Sequence, residues 1–312
     1  MNIVFMGTPD FALETLQKIH ESGHNILAVV CQPDKQVGRG MKIQMPPTKE
    51  YAIANNIEVL QPEKIKNNQE FFDKINSLNP DITVVVAYGK ILPQNILDIP
   101  KYGSMNVHGS LLPKYRGAAP IQWAIINGDE TTGVTTMKMD AGMDTGDMYL
   151  KSEIPIEKDD TYGTLYEKLK SLGAELAVET LRKIQDGTIT STKQGDEFTI
   201  APMIFKEDTK IDFETSAQSI VDLIRGVNPA PGAWFVYNDK IFKVWKAETV
   251  EQDELENNTP GCVIVSNSKE GLLISTGKGL LNVLEIQAPN SKKMSINDYL
   301  RGNEILVNTK LN

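Results

Sequence analysis

The chain has 312 residues and a net charge of −9, from 32 basic and 41 acidic side chains. This length predicts two domains or one large one, and the acidic balance argues against a generic nucleic-acid binder, although a local basic patch stays compatible with it. Its two cysteines, Cys31 and Cys262, fit no metal-binding or disulfide pattern, so a reducing compartment is expected. No apolar run is long enough to span a bilayer, and the N-terminus is not typical of a signal peptide.

Strand and helix patterns alternate over the first two-thirds of the chain. In chain order we predict a strand over 2–6, a helix with Thr8 as its N-cap and Pro9 at its first position, strands over 26–31 and 57–60, a helix over 71–78, strands over 81–87 and 104–108, a helix over 119–127, a strand over 134–139 and a long amphipathic helix over 161–186. This alternation predicts an α/β fold with a mostly parallel sheet and crossover helices. Ligands of such sheets bind beyond the carboxyl ends of the strands.

The last third of the chain has a different pattern. A polar stretch over 188–202 is typical of a linker, and a helix is predicted over 216–225. Five short strands follow, separated by turn-forming residues and by an acidic loop over 251–258; they are predicted over 233–237, 240–247, 262–266, 272–275 and 280–286. Several short strands at close spacing predict a small β-barrel.

Asn106 and His108 stand two positions apart in the strand predicted over 104–108. Side chains at this spacing share one face of a strand, so both are expected near its carboxyl end. An amide donor and an imidazole with a reference pKa of about 6.5 could together stabilise a developing oxyanion. The pair is a short motif, and taken alone it is more often a hydrogen-bonded histidine with a turn-forming asparagine than a catalytic pair.

Three carboxylates, those of Asp140, Asp144 and Asp147, follow the strand predicted over 134–139. Asp and Gly build turns, so a polar turn is one interpretation. A second places a carboxylate beside His108, where it would orient the ring, favour its charged form and relay protons through water. A cation site is a third, although such sites usually show denser oxygen spacing.

A basic stretch over 32–42 follows the second predicted strand. Lys35, Arg39 and Lys42 outnumber the single acid, Asp34, and Arg39 lies between two glycines. Scattered charges usually lie on a solvated loop. The alternative is an arm whose cations contact phosphates or a base edge.

A larger set of motifs runs in order along the whole chain. They are 4–12 (VFMGTPDFA), 32–34 (QPD) with 38–40 (GRG), 86–89 (VAYG), 106–113 (NVHGSLLP), 144–146 (DTG), 224–226 (IRG) and 229–233 (PAPGA). With these motifs the sequence closely resembles the methionyl-tRNA formyltransferase family. An ordered set of this extent recurs by chance far less often than any one of its short motifs.

The resemblance implies a catalytic domain over 1–187 with a Rossmann-like sheet of the formyltransferase fold, a linker over 188–204 and an OB-fold-like, tRNA-binding β-barrel over 205–312. It also implies transfer of a formyl group from 10-formyltetrahydrofolate to the α-amine of initiator methionyl-tRNA. The expected enzyme is cytoplasmic and monomeric, uses folate as co-substrate, and needs neither a metal nor a membrane.

The resemblance also assigns roles to individual residues. Asn106, His108 and Asp144 match the catalytic trio. The stretch that lines the folate site comprises Ser110, Leu111, Leu112 and Pro113. Arg39 and Lys42 match the tRNA-binding loop.

Other functions stay open at this point. A sugar or nucleotide formyltransferase would share the trio and lack the tRNA acceptor, whereas the basic loop and the 229–233 motif favour tRNA. A folate-linked dehydrogenase would need a further large domain, and a folate-linked hydrolase is a related alternative. An RNA-binding module with a vestigial enzyme domain is a possibility from another class.

Overall fold

The computed structural model describes residues 1–37, 42–250 and 259–312, and the chain forms two compact units. The first comprises 1–120, 132–154 and 166–201, and the second 121–131, 155–165 and 202–312. Arg39 and the acidic loop over 251–258 lie outside the described residues. None of the described helices has both the length and the apolar character that crossing a bilayer requires. The domain limits at 187 and 204 stay predictions.

The segments up to residue 201 contain eleven described strands and six described helices. The strands are β1 (Asn2–Gly7), β2 (Asn25–Val30), β3 (Lys35–Val37), β4 (Lys42–Gln44), β5 (Glu58–Leu60), β6 (Ile82–Val86), β7 (Ser104–His108), β8 (Arg116–Gly117), β9 (Thr131–Lys138), β10 (Met148–Pro155) and β11 (Ile200–Ala201). The helices are α1 (Asp10–Glu21), α2 (Pro47–Ala54), α3 (Gln69–Leu78), α4 (Gln94–Leu97), α5 (Pro120–Ile126) and α6 (Tyr162–Gln185).

Seven of these strands form one sheet, in the order β10-β9-β7-β6-β1-β2-β5. The pairs β1–β2, β1–β6, β2–β5 and β6–β7 are parallel. All residues of the Ile-Thr-Val-Val-Val strand β6 are buried, as expected for a strand covered on both faces. The predicted α/β fold with a mostly parallel sheet is therefore confirmed.

Several details differ from the sequence-based expectation, which includes neither strand β10 nor the short strands β3, β4, β8 and β11. Strand β9 runs antiparallel to β7, with His108 opposite Thr135 and Met105 opposite Lys138, so the carboxyl end of β9 lies beside the start of β7. Helix α1 begins at Asp10 with Pro9 as its N-cap, and the Thr8 hydroxyl instead accepts a hydrogen bond from the Gln32 backbone N–H at 3.1 Å. The helix therefore begins one residue later than predicted.

The second unit contains a six-stranded antiparallel sheet. Its elements are a 3₁₀ helix (Glu207–Thr209), α7 (Ala217–Gly226), β12 (Ala233–Tyr237), β13 (Lys240–Val250), β14 (Val263–Asn267), β15 (Gly271–Ser275), β16 (Leu280–Gln287), β17 (Met294–Ser295) and α8 (Ile296–Leu300). The strand order is β12-β13-β16-β15-β14, with β17 paired to β16. Phe235 and Phe242 stack in its core, with ring centroids 5.6 Å apart. The antiparallel, barrel-like domain predicted from the short strands is confirmed.

The Ile-Arg-Gly motif at 224–226 has a packing role within this unit. The Arg225 guanidinium donates to the backbone carbonyls of Asp160 and Glu157, at 2.9 and 2.7 Å, and pairs with Asp222 at 2.9 Å. A Cβ on Gly226 would contact Ile126 at 2.5 Å. This motif therefore fastens α7 to the 155–165 segment and to α5.

The two cysteines are expected to differ in reactivity. Cys31 is fully buried, and this burial raises the pKa of its thiol to about 11 from the ordinary 9.0, whereas Cys262 is partly exposed. Because the thiolate is the nucleophile, Cys31 stays protonated and unreactive at about pH 8. Iodoacetamide should therefore alkylate Cys262 first, as measured by peptide mass spectrometry, and both should react in denaturant. Equal labelling rates in the native protein would contradict this.

Candidate active site

Strand β7 carries the first two site residues. It has the predicted limits, and all five of its residues are buried, with Asn106 9% and His108 6% exposed. Because side chains alternate along a strand, Asn106 and His108 lie on the same face. Among the described residues, the Asn106 amide has no hydrogen-bond partner, so its N–H groups are available to a ligand.

The His108 ring is held by a backbone carbonyl. Its Nε2 lies 2.9 Å from the Tyr115 carbonyl oxygen. A carbonyl only accepts hydrogen bonds, so Nε2 carries a proton and donates it. Nδ1, on the other side of the ring, lies 3.6 Å from the Asp144 Oδ2. The nitrogen next to the carboxylate is therefore the one that stays available to a ligand.

Asp144 is brought to this position by its loop. The residue adopts a left-handed backbone conformation, with φ +54°, and its Oδ2 accepts a hydrogen bond from the Gly117 backbone N–H at 2.9 Å. Asp is one of the few residue types that tolerate this conformation. Only 16% of the Asp144 side chain is exposed, so its negative charge acts on His108 with little screening by water. The structure thus brings His108 and Asp144 together.

The other carboxylates of this loop have different surroundings. Asp140 accepts hydrogen bonds from the Gly142 backbone N–H at 3.0 Å and from the Thr145 hydroxyl at 2.7 Å, so it builds the turn. The Asp147 carboxylate accepts a hydrogen bond from the Ser191 hydroxyl at 3.4 Å. Within the part of the chain that the structure describes, no three His, Cys, Asp or Glu side chains form a group that could hold a metal ion.

Comparison with known proteins places this geometry in a family. A family model described as formyl transferase matches residues 1–181, and a second, described as formyl transferase, C-terminal domain, matches residues 203–304. The chain belongs to the formyl transferase family.

Full-length relatives agree with this assignment. This formyl transferase is 53% identical over 306 residues to a methionyl-tRNA formyltransferase of Caldanaerobacter subterraneus, covering 98% of each chain. It is equally similar to a methionyl-tRNA formyltransferase of Clostridioides difficile. Among solved structures, the sugar 3N-formyl transferase WlaRD, crystallised with dTDP and 5-N-formyl-THF, superposes with a TM-score of 0.67 at 21% identity, over 94% of this chain and 99% of that one. At this identity the likeness shows the fold alone.

The stretch predicted to line a folate site is largely buried. Ser110 and Leu112 are fully buried, and Leu111 and Pro113 are partly exposed. The Ser110 hydroxyl donates to the Lys114 carbonyl at 2.6 Å. Leu111 and Pro113 are therefore the residues of this stretch that a ligand can reach, and the folate-binding role stays a prediction. An apolar, partly exposed edge of this kind, next to strand β7, is typical of sites that bind flat aromatic rings.

The tRNA-binding loop predicted from the sequence is described only in part. Lys42 opens strand β4, which pairs with β3 as an antiparallel hairpin, and its backbone lies opposite Val37. Arg39 falls in the gap between these strands, outside the described residues. The roles assigned to both cations stay predictions.

Sequence reasoning missed several groups that position the site. They are the Tyr115 carbonyl, the Gly117 backbone N–H and Thr135, whose hydroxyl donates to the Ser110 carbonyl at 2.7 Å and accepts from the Leu112 N–H at 3.1 Å. Two of these are backbone groups, which every residue carries, so side-chain identity gives no signal for them. The left-handed Tyr115, φ +61°, shows that the chain turns sharply here.

Proposed function

We propose that this formyl transferase moves the formyl group of 10-formyltetrahydrofolate to the α-amine of methionine on initiator tRNA. The observation that carries the proposal is the His108–Asp144 pair, 3.6 Å apart, at the end of the strand that also holds Asn106. The near-full-length identity to curated methionyl-tRNA formyltransferases supports the choice of donor and acceptor.

Asn106 and His108 act on the formyl oxygen. The folate donor supplies an amide-like formyl group, whose oxygen gains negative charge as the amine adds to the carbon. The Asn106 amide donates a hydrogen bond to this oxygen, and a protonated His108 Nδ1 donates a second. One preorganised donor of this kind lowers the barrier by about 2.7–4 kcal/mol, because it needs no reorganisation at the moment of reaction.

The Asp144 carboxylate handles the proton. A bond forms between the amine nitrogen and the formyl carbon, the bond from that carbon to the folate nitrogen breaks, and one proton moves from the first nitrogen to the second. Asp144 accepts this proton from the amine through water and returns it to the folate nitrogen, while His108 keeps the proton on Nδ1 with which it donates to the formyl oxygen. The same carboxylate, 3.6 Å from Nδ1, stabilises the positive charge that His108 holds throughout.

A single assay tests the proposed function. The purified protein is incubated with 10-formyltetrahydrofolate and initiator methionyl-tRNA, and formylmethionine is measured after hydrolysis of the ester. A dTDP-linked amino sugar in place of the tRNA serves as the control acceptor. Formylation of methionine is expected, and formylation of the sugar alone would replace this proposal with that of a sugar formyltransferase.

The basic loop is expected to act on the tRNA only. Arg39→Ala should raise KM for methionyl-tRNA about tenfold or more, since one lost phosphate or base contact weakens binding by about 1–3 kcal/mol. The KM for the folate donor should not change. Arg182→Ala, which removes an exposed arginine at the end of α6, is the matched control. An equal rise in both KM values for Arg39→Ala would argue against an RNA contact.

Two further expectations concern the state of the enzyme. Its cytoplasmic location and its monomeric state stay predictions from the sequence. Light scattering of the purified protein measures the second: a mass near 34.6 kDa is expected.

A further inference from the structure

The segment 192–201 is hydrogen-bonded to the parts of the chain that hold His108 and Asp144. Thr192 exchanges two backbone hydrogen bonds with Met148, both 2.8 Å, just after the Asp144 loop. Thr199 accepts from the Tyr115 N–H through its hydroxyl at 2.8 Å, and from the Arg116 N–H through its carbonyl at 2.9 Å. This polar stretch, which the sequence analysis interpreted as a linker, therefore packs on the site.

Gln194 bonds this segment directly to the Asp144 loop. Its Nε2 donates to the backbone carbonyls of Asp144 and Gly146, at 2.8 Å each. One side-chain amide thus spans both ends of the turn that carries the carboxylate. The turn needs such a restraint, because Asp144 holds a left-handed conformation that a non-glycine residue adopts only at an energetic cost.

Arg116 determines which way the Gln194 amide faces. The guanidinium donates to the Gln194 Oε1 from Nε at 3.0 Å and from Nη2 at 2.7 Å. A flipped amide would direct its N–H groups at this cation and its oxygen at two carbonyls, so only one orientation is stable. Arg116 is itself buried, and the Phe198 ring lies 4.5 Å from its guanidinium carbon.

We propose that Gln194 is a positioning residue for catalysis, which fixes the Asp144 carboxylate beside His108 Nδ1 through the carbonyls of Asp144 and Gly146. Arg116 acts behind it by holding the amide in the one productive orientation. The inference rests on the proposed function, since it assigns Gln194 to the same catalytic pair. Gln194 touches no reacting atom, so its effect passes through the loop.

Three variants separate positioning from simple support of the fold. Gln194→Glu keeps the shape and gains a charge pair with Arg116, but it presents an oxygen to two carbonyl oxygens. Gln194→Met keeps the approximate volume and removes both the donor and the acceptor. Gly195→Ala is the neighbouring control, because a Cβ there has no atom within 4 Å.

Both Gln194 variants should lower kcat about 10- to 100-fold, the scale expected when a catalytic group moves by about 1 Å. KM for 10-formyltetrahydrofolate and the melting temperature of Gln194→Glu should stay near those of the unchanged protein. Gly195→Ala should have the same kcat, KM and melting temperature as the unchanged protein. If Gln194 instead only supported the fold by binding Arg116, Gln194→Glu would keep that contact and would retain normal kcat. Full kcat in Gln194→Glu or in Gln194→Met, or a loss of kcat that only follows a loss of folded protein, would overturn the inference.

Hydrogen exchange separates this inference from the proposed function. In Gln194→Met, the backbone amides of 144–147 should exchange faster than in the unchanged protein, because the loop has lost its restraint. If the unchanged protein fails to formylate methionyl-tRNA, the proposed function fails, and the exchange rates still decide whether Gln194 restrains the loop. Unchanged exchange at 144–147 would overturn the positioning role whatever the acceptor is.

Discussion

His108→Ala is expected to lower kcat for formyl transfer by about 10²–10³-fold while leaving the affinity for the folate donor largely intact. The variant removes the Nδ1 donor that we propose stabilises the formyl oxygen together with the Asn106 amide, and the loss of one such donor lowers kcat by about 10²–10³-fold. Steady-state kinetics with saturating methionyl-tRNA measures kcat, and fluorescence or calorimetric titration measures donor binding. His20→Ala is a matched control. This histidine lies on α1, where its ring forms a hydrogen bond with the Tyr51 hydroxyl at 2.9 Å.

Asp144→Asn separates charge from shape at the same site. The amide oxygen of Asn can still accept from the Gly117 N–H, so the loop should keep its conformation while the negative charge is lost. We expect kcat to fall about 10²-fold or more. The effects of groups that act as one unit on kcat do not add. The double variant, His108→Ala with Asp144→Asn, should therefore be about as slow as the slower of the two single variants. Near-normal turnover of both single variants would show that the pair is not catalytic.

Gly146→Ala is expected to destabilise the protein and to impair catalysis together. A Cβ at this position would overlap the Lys138 carbonyl oxygen. This oxygen belongs to the backbone of strand β9 in the main sheet, so it cannot shift without a cost in stability. Overpacking of this kind costs about 1–3 kcal/mol or more. Since each kcal/mol shifts the melting temperature of a large domain by roughly 2–4 °C, a fall of several degrees is expected in differential scanning calorimetry.

The expected loss of activity follows from where Gly146 lies. Its carbonyl is one of the two that Gln194 binds, so moving this residue moves Asp144. Gly302→Ala is the control, because this exposed glycine has no atom within 4 Å of the added Cβ. A Gly146→Ala protein with unchanged melting temperature and kcat would show that the loop adapts without cost.

Local pattern was enough to predict much of the fold. The Ile-Thr-Val-Val-Val run indicated the central strand β6, and the strand from Ser104 to His108 has the predicted limits, with Asn106 and His108 on one face. These features are readable because burial follows the period of the backbone, which is two in a strand and 3.6 in a helix. The short C-terminal runs predicted an antiparallel barrel for the same reason.

The sequence by itself thus determined six of the seven strands of the main sheet and the domain types, and its resemblance to a family named Asn106, His108 and Asp144 as the residues worth testing. Only the tertiary structure decided that β9 runs antiparallel to β7, that the Asp144 carboxylate lies 3.6 Å from the His108 ring, and that Gln194 comes from a segment interpreted as a linker. The physical reason is that periodicity records which face of an element is buried but not which distant segments meet. The contacts that orient the site, moreover, run largely through backbone carbonyl and N–H groups, which every residue carries.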